Sequence, residues 1–249
     1  IYLAATVLLL LGCNKKKFFD GPDYYQDGFE TYSVLEDLLS NDDANWSFTQ
    51  LTKSENSITV DTFRVHSGNK SLKFSGKISD DILSKCSIAK QNMAFWEGET
   101  VRVSAWYYIE GTATAQWLFL FDLEEQTPIG AGPGMRLALV ENRIMVEHKM
   151  NETDIYQTTG QEINFPRDQW VNIVWEMKLS QKEKGTVKVW QDSQLIINAE
   201  KTRTLPKDIL FSLQGTKGMY SSVEIGITAN SRDSDLLLWV DDIEFKKSE

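Results

Sequence analysis

The most regular feature of the chain is an alternation of apolar and polar residues, which is the period of a β-strand with one buried face. Residues 101–109, 171–179 and 222–228 each place apolar side chains on one face and more polar ones on the other, and residues 236–245 form another apolar run. Only residues 33–40 have a pattern that suits a helical turn. Many short strands over about 220 residues predict an all-β fold, a two-sheet antiparallel jelly-roll sandwich.

Turn-forming residues separate the predicted strands. They occur at Gly68-Asn69, Gly98, Pro133-Gly134, Glu141-Asn142 and Gly185. Glycine, proline and asparagine at such positions are typical of connections between strands. The sequence Asp122-Leu123-Glu124-Glu125 follows an apolar run, so we expect its carboxylates to cap a solvated loop.

The same alternation separates the three tryptophans of the stretch WVNIVWEMKLSQKEKGTVKVWQD. Trp175 is in phase with Val171, which predicts a core position. Trp190 is out of phase with Val189, so we expect it to face a groove, where its ring can stack on a sugar. Trp170 is expected to close one end of the sandwich.

The first residues have the features of an export signal. The apolar run of residues 1–12 is too short for a transmembrane helix and is followed by Cys13 and a basic stretch. A small residue before a cysteine resembles the lipobox of bacterial lipoproteins. That resemblance implies a lipidated Cys13, a tether over residues 13–27 and a jelly-roll domain over residues 28–249, held at the bacterial outer membrane or cell surface. The alternative is a buried strand that ends in an unmodified cysteine.

Composition and charge exclude some classes of partner. The net charge of −10 and the pI of about 4.8 argue against nucleic-acid binding, which needs a basic face. Lipidation of Cys13 would leave Cys86 alone, without a disulfide partner, and two histidines provide no Cys/His zinc pattern. The length of 249 residues suits one domain, which we expect to be a monomer that contacts the membrane only through its lipid.

Several stretches resemble the jelly-roll carbohydrate-binding modules. They are GFE (28–30), Trp46, VHSGNKSLKF (65–74) and WVDDIEF (239–245). In that family the terminal strands meet around a structural calcium ion. The resemblance implies that Glu30 and one of Asp241 or Asp242 bind Ca²⁺ through carboxylate oxygens. The alternative is a hydrogen-bonded acidic turn without metal.

The second half resembles the concanavalin A-like jelly rolls, which include the heparin-lyase-type and alginate-lyase-type polysaccharide lyases. The resemblance depends on AQWLFLFD (115–122), GPGMRLAL (132–139), QWVNIVWEMKLS (169–180) and GTVKVWQD (185–192). It covers most of residues 28–247 and implies the architecture rather than an activity.

Two motifs of the alginate-lyase-type enzymes are incomplete in this chain. Their Gln-x-His corresponds to Gln116 followed by Leu118, so the histidine is absent. Their Tyr-x-Lys-x-Gly-x-Tyr aligns at Gly226, which places Glu224 at the lysine and Thr228 at the last tyrosine. Both differences remove groups that β-elimination beside a uronate carboxyl requires.

The sequence therefore favours an envelope protein that recognises a polysaccharide in an aromatic and basic groove. The groove residues that we predict are Arg102, Trp106, Tyr108, Gln116, Arg136 and Trp190. Their rings would stack on sugar C–H surfaces, and the arginine and glutamine side chains would bind hydroxyl or carboxylate groups.

Three alternatives remain open. A polysaccharide lyase would use His148 and Tyr220 as its acid and base in place of the missing pair. A glycoside hydrolase would use the region of Asp122 and Glu124. A structural envelope protein would have no glycan ligand.

Overall fold

The computed structural model describes residue 17 and residues 20–40, 45–79, 82–112, 116–127, 130–148, 153–205, 218–230 and 234–249. These residues form one short helix, α1 (Leu35–Leu38), within the predicted helical stretch, and sixteen strands. The strands are β1 (Tyr24–Asp27), β2 (Phe48–Leu51), β3 (Ser57–Asp61), β4 (Ser71–Gly76), β5 (Ser84–Lys90), β6 (Phe95–Trp96), β7 (Thr100–Ile109), β8 (Trp117–Thr127), β9 (Gly130–Val140), β10 (Arg143–His148), β11 (Trp170–Lys178), β12 (Gly185–Gln191), β13 (Gln194–Thr202), β14 (Met219–Tyr220), β15 (Ser222–Asn230) and β16 (Leu236–Ser248).

Two antiparallel sheets form the predicted jelly-roll sandwich. The larger sheet has the order β13-β12-β11-β7-β16-β4-β3, and β1 pairs with β16 as its eighth strand. The smaller sheet has six strands in the order β10-β9-β8-β15-β5-β2, and β14 pairs with β6. Phe121 on β8 packs edge-on against Trp175 on β11, with ring centroids 5.9 Å apart, so side chains of both sheets meet in one core.

The predicted alternation is confirmed on the strands of the eight-stranded sheet. Val101 on β7 and Val171 on β11 belong to the core with every second residue that follows them, whereas the residues between them on β7 are partly exposed. Trp175 is 2% exposed, which confirms its predicted core position. Apolar burial on this face is the main source of stability of such a sandwich.

The hairpin between β8 and β9 differs from the predicted loops. Pro133-Gly134 lies within β9, so the predicted turn there is wrong. Asp122, Glu124 and Glu125 lie within β8 and are only 3–5% exposed, so the predicted solvated loop is also wrong. The polar residues looked like a strand end because carboxylates are rarely buried on a strand.

The folded structure begins before the expected boundary at residue 28. Strand β1 pairs with β16 inside the segment predicted to be a tether. The preceding Gly21 packs so closely that a Cβ there would lie 2.5 Å from the backbone nitrogen of Ala94. The Lys247 ammonium donates to the carbonyl oxygens of both Gly21 (3.1 Å) and Ala94 (3.0 Å). These contacts fix the end of the segment to the sandwich.

The predicted signal (residues 1–12) and Cys13 lie outside the described residues. Within the part of the chain that the structure describes, no helix is long and apolar enough to cross a membrane.

Candidate active site

A row of charged side chains crosses the outer face of the six-stranded sheet. Glu224 on β15 lies opposite Asp122 on β8, and Asp122 lies opposite Arg136 on β9. Arg136 in turn lies opposite Glu147 on β10. Directly opposed residues share one face of a sheet, and sequence neighbours such as Val223 belong to the core on the other face. We call Glu224, Asp122, Arg136 and Glu147 the charged row.

Arg136 is the one cation of the charged row and lies between two carboxylates. Its Nε is 3.3 Å from Asp122 Oδ1, and its Nη1 is 3.6 Å from Glu147 Oε2. The guanidinium carbon lies 4.1 Å from the centre of the Phe119 ring, a cation–π distance. The Asp122 side chain is 4% exposed, whereas those of Arg136 and Glu147 are 17% and 29% exposed. A ligand can therefore reach Arg136 and Glu147 more easily than Asp122.

Glu147 has a perturbed carboxyl group. Burial raises its pKa above the ordinary value, the positive charge of Arg136 partly opposes that rise, and the negative charges of Asp154 and Asp122 add to it. A raised pKa moves the titration of a partly exposed carboxyl towards neutral pH, which favours a role as general base or acid.

Glu224 accepts hydrogen bonds from two neutral side chains. Its Oε1 accepts a hydrogen bond from the Ser87 hydroxyl, and its Oε2 accepts one from Gln50 Nε2 at 3.3 Å. The Lys85 ammonium donates to Gln50 Oε1 at 3.0 Å. With 4% exposure and these partners, Glu224 closes the β5 side of the charged row.

An aromatic strip runs beside the charged row on the same face. Trp117 stacks on Phe119 with ring centroids 4.8 Å apart and an interplanar angle of 28°. Phe119 lies opposite Ala138, and Ala138 lies opposite Met145. We call Trp117, Phe119, Ala138 and Met145 the aromatic strip. An apolar aromatic surface beside a cation and a titratable carboxyl has the elements of a glycan site, because pyranose rings present C–H faces together with polar groups.

A family model described as Polysaccharide lyase matches residues 40–244 of the chain. The chain belongs to this polysaccharide lyase family. The match spans every strand of the six-stranded sheet, and hence both the charged row and the aromatic strip. No curated protein sequence matches the chain.

Solved structures similar to this family member include a fungal enzyme. The endo-β-1,4-glucuronan lyase from Trichoderma reesei superimposes with a TM-score of 0.66 at 12% identity, covering 90% of this chain and 94% of that one. Cellulose induced protein Cip1 gives 0.62 at 15% identity, with coverages of 88% and 95%. The alginate lyase Aly36B gives 0.58 at 8% identity, with coverages of 91% and 97%. At such identities the likeness establishes the jelly-roll fold alone.

The two motif stretches of the alginate-type lyases lie on neighbouring strands, β8 and β15. Gln116 precedes β8 and is exposed, and Leu118 is fully buried in the core. Glu224 lies in the charged row, and Thr228 is 1% exposed. The chain therefore has the family fold, but the motif positions of the histidine and the lysine hold Leu118 and Glu224, which cannot supply the same groups.

The predicted catalytic pair, His148 and Tyr220, does not line this face. The Tyr220 ring is fully buried, and its hydroxyl donates to the Thr204 carbonyl at 2.6 Å. Burial raises its pKa above the ordinary value. His148 is 6% exposed and in phase with the core residue Val146, and burial lowers its pKa. Neither side chain is exposed on the outer face of the six-stranded sheet, and the catalytic role of the pair stays a prediction.

The six predicted groove residues are divided between the two sheets. Arg102, Trp106 and Tyr108 on β7 project from the outer face of the eight-stranded sheet, as does Trp190 on β12. Arg136 lies on the outer face of the opposite sheet, so these residues do not line one surface. Strand alternation gave the correct faces, but it carries no information about which sheet a strand joins.

The aromatic residues of the eight-stranded sheet are covered by the β3–β4 loop. The His66 ring stacks on Trp106 at 3.7 Å, and the Arg64 guanidinium lies 4.1 Å from the centre of the Tyr108 ring. Trp190 is partly exposed, with the Arg102 guanidinium 5.3 Å from its ring centre. Contacts within the protein therefore occupy much of this aromatic surface.

The three predicted calcium ligands come together around the same loop. Asp241 Oδ2 accepts the backbone N–H groups of His66 (2.9 Å) and Ser67 (3.3 Å). Asp242 contacts His66 Nδ1 (2.6 Å) and the Ser67 hydroxyl (2.9 Å). Glu30 Oε1 accepts the N–H groups of residues 69 and 70 at 2.8 and 2.9 Å.

These carboxylates have the oxygen chemistry that calcium binds, but their oxygens are engaged. Burial raises the pKa of Asp241 to about 6, opposed by the hydrogen bonds from His66 and Ser67. Among the described residues, no group of three or more His, Cys, Asp or Glu side chains has an arrangement that could hold a metal. As it stands, the arrangement fits the acidic-turn alternative, because calcium would have to displace the donors of Asp242 and Glu30. The calcium site stays a prediction.

Sequence reasoning missed Glu147 and Phe119, although a signal for Glu147 was present. Arg136 and Glu147 are equidistant from the turn at Glu141-Asn142, which forms with φ angles of 48° and 66°. A two-residue hairpin turn fixes the register of its strands, so the turn alone pairs these residues. In the sequence, Phe119 is one residue of an apolar run. Only the bulge between Phe119 and Phe121, which the structure reveals, places its ring on the outer face of the sheet.

Proposed function

We propose that the protein is a polysaccharide lyase that cleaves a uronate-containing glycan on the outer face of the six-stranded sheet. Membership of the polysaccharide lyase family supports this proposal, and so does the fold that the chain shares with a glucuronan lyase and an alginate lyase. The observation that carries it is the position of Arg136 beside Glu147, a partly exposed cation that contacts the Phe119 ring and lies next to a partly exposed carboxyl of raised pKa.

In the proposed reaction Arg136 binds the uronate carboxylate. Neutralising that carboxylate makes the proton on the adjacent carbon more acidic, because the negative charge of the transition state is stabilised. The ion pair between Arg136 and Asp122 keeps the guanidinium oriented towards the site. Stacking on the aromatic strip would hold the sugar ring in place.

Glu147 is the proposed proton-transfer group. As a carboxylate it removes the proton beside the uronate carboxyl, the carbon–carbon double bond forms, and the bond to the leaving sugar oxygen breaks. The leaving oxygen then takes a proton from the same carboxyl or from water. A raised pKa makes Glu147 a stronger base than an ordinary carboxylate. Turnover should therefore rise with pH as Glu147 loses its proton, and it should do so at higher pH than for an ordinary glutamate.

The test is an elimination assay on glucuronan, alginate and a neutral glucan, read by the ultraviolet absorbance of the unsaturated uronate. The parent protein should form product from a polyuronate and none from the neutral glucan. Glu147→Gln should abolish turnover while binding persists, and Arg136→Gln should lose both. The matched control is the Arg102–Glu176 ion pair of the opposite sheet (3.2 Å), whose Arg102→Gln and Glu176→Gln variants should keep full activity. Product formation by Glu147→Gln at the parent rate would refute the mechanism.

A second candidate function is recognition of a polysaccharide without cleavage. It is favoured by the motif positions of the alginate-type lyases, where Leu118 is buried and Glu224 is hydrogen-bonded to Ser87 and Gln50. Retention on a glycan without any unsaturated product would support this function and exclude the lyase reaction for that glycan.

A further inference from the structure

Strand β10 is the edge of the six-stranded sheet, and one further segment extends its face. Ile155 and Val146 exchange backbone hydrogen bonds of 2.8 and 2.9 Å in an isolated antiparallel bridge. Val146 points into the core, and side chains alternate along both backbones. Tyr156, which follows Ile155, therefore lies on the outer side beside Met145. Tyr156 thus borders Met145, the last residue of the aromatic strip, which is itself only 4% exposed.

The Tyr156 side chain is exposed to solvent, while hydrogen bonds of the neighbouring residues fix its backbone. Its side chain is 63% exposed, although the residues on both sides of it are anchored. The Gln157 amide donates to the carbonyl oxygens of Ile144 and Ile163, both at 3.2 Å, and accepts the Ile163 N–H at 2.9 Å. A rigidly presented aromatic ring loses little conformational entropy when a ligand stacks on it.

A small cleft adjoins Tyr156. It has a volume of about 260 Å³ and is lined by Val140, Arg143, Met145, Tyr156, Gln157 and Glu162, among others. This volume lies below the range of about 300–1,000 Å³ of drug-sized sites, so it suits a single sugar ring. The exposed Arg143 is close enough to Glu162 for its positive charge to lower the pKa of that carboxyl, and the Glu162 carboxylate also accepts the Gly160 N–H at 2.8 Å. A ligand carboxylate would therefore compete with Glu162 for the Arg143 guanidinium.

We propose that this cleft is an outlying subsite that binds one uronate residue of the glycan chain. The inference rests on the proposed function and extends its substrate site beyond β10. The Tyr156 ring stacks on the C–H face of the sugar, and the Arg143 guanidinium pairs with its carboxylate. Met145 lines the cleft and lies on the same face of β10 as Glu147, two residues away, so the subsite borders the charged row.

The test compares Tyr156→Ala, Tyr156→Phe and Arg143→Gln by electrophoresis through gels that contain glucuronan or alginate, alongside the elimination assay. The matched control is Phe63→Ala, which removes an aromatic ring that is 89% exposed near the opposite sheet. Tyr156→Ala should weaken retention and raise KM for long chains by about fivefold to tenfold, the effect of losing one stacked ring. Tyr156→Phe and Phe63→Ala should match the parent. Arg143→Gln should weaken retention on polyuronates and leave the migration through a neutral glucan unchanged.

The possible outcomes distinguish the subsite from the proposed function. Retention and KM of Tyr156→Ala equal to those of an active parent would overturn the subsite and leave the lyase function standing. Loss of elimination in Tyr156→Phe at unchanged retention would overturn the stacking role and assign the hydroxyl to proton transfer. A parent that neither binds nor cleaves any polyuronate would overturn both.

Discussion

Trp175 and Trp190 show how the alternation of side chains along a strand decides whether a tryptophan is buried or lies on the outer face. Trp175 on β11 packs against Phe121 of the opposite sheet and is almost completely buried. Trp190 lies on the outer face of β12, where Arg102 covers part of its ring. The outer face that carries Trp190 belongs to the eight-stranded sheet, on the other side of the molecule from the charged row.

Truncation of these two tryptophans should have different consequences. Trp175→Ala should cost roughly 3–5 kcal/mol of unfolding free energy, because it leaves a cavity between the sheets. Trp190→Ala should cost much less and should leave polyuronate binding unchanged. Denaturant midpoints and retention on glycan gels measure both effects. If Trp190→Ala lost glycan binding while it stayed folded, the glycan site would have to include the eight-stranded sheet.

Glu125 is a buried carboxyl whose ionisation makes stability depend on pH. Its Oε2 is buried and has no hydrogen-bond partner among the described residues, and burial raises its pKa from 4.5 to about 7. Between pH 4.5 and about 7, Glu125 is therefore protonated in the folded state and ionised in the unfolded state. Stability from this group is present below pH 4.5 and is lost as the pH rises through about 7.

Glu125→Gln should remove this pH dependence. Glutamine resembles the protonated carboxyl, so the variant should match the parent near pH 4.5. At about pH 8 it should be more stable by up to roughly 3 kcal/mol, since each pKa unit corresponds to about 1.4 kcal/mol. Urea midpoints across this pH range give the answer, with the exposed Glu200→Gln as control. A stabilisation that is equal at both pH values would show that the ionisation of Glu125 is not its cause.

At the scale of elements, the β9–β10 hairpin builds most of the candidate site. Its turn at Glu141-Asn142 sets Arg136 opposite Glu147, and its outer edge receives the bridge from Ile155 that positions Tyr156. Strand β8 contributes Asp122 and the stacked Trp117–Phe119 pair. A one-residue slip of β10 against β9 would turn Glu147 to the core face and separate it from Arg136.

The terminal strands and the 66–70 loop form a second polar element, for which the calcium prediction can be tested. If Glu30 and Asp242 bind Ca²⁺, calcium should raise the melting temperature and a chelator should lower it, because only the folded state binds the ion. Asp242→Asn should remove the shift. If Asp241 is the second ligand instead, the shift should be larger at pH 8 than at pH 5, since Asp241 with a pKa of about 6 must lose its proton to bind the ion. An identical melting curve with calcium and with chelator would rule out the site.

At the scale of the whole molecule, the two outer faces differ in how their aromatic residues are covered. The eight-stranded sheet covers its aromatic residues with the β3–β4 loop, through His66 on Trp106 and Arg64 on Tyr108. On the six-stranded sheet, Trp117, Phe119, Arg136 and Glu147 are partly exposed. The segment before β1 is fixed to the sandwich by Gly21 and Lys247, so an anchored protein would keep its domain close to the membrane.

Cys13→Ser tests the proposed envelope anchor. If the lipobox-like sequence directs lipidation, the parent should partition with membranes and into detergent, and the variant should be released. The folded domain should be unaffected, so the melting temperature and polyuronate retention of the two proteins should agree. Equal partitioning of parent and variant would disprove the anchor without affecting the proposed lyase function.

The sequence by itself determined the fold class and the side-chain faces. Alternation is a local property, because successive side chains of a strand point to opposite sides. It therefore predicted the sandwich and the burial of Trp175 before any pairing was known. The turn at Glu141-Asn142 likewise fixed the pairing of Arg136 with Glu147.

Only the tertiary structure decided which strands are neighbours, and hence which residues share a site. In a jelly roll, strands distant in sequence pair, and local patterns contain no information about such long-range pairing. Trp106 and Arg136 were expected in one groove but lie on opposite sheets. Tyr220 was expected at the surface, but it is enclosed because Thr204 packs over its hydroxyl. The burial of Asp122 and Glu224 also depends on these contacts, since a carboxylate on a strand is stable in the interior only when distant partners satisfy it.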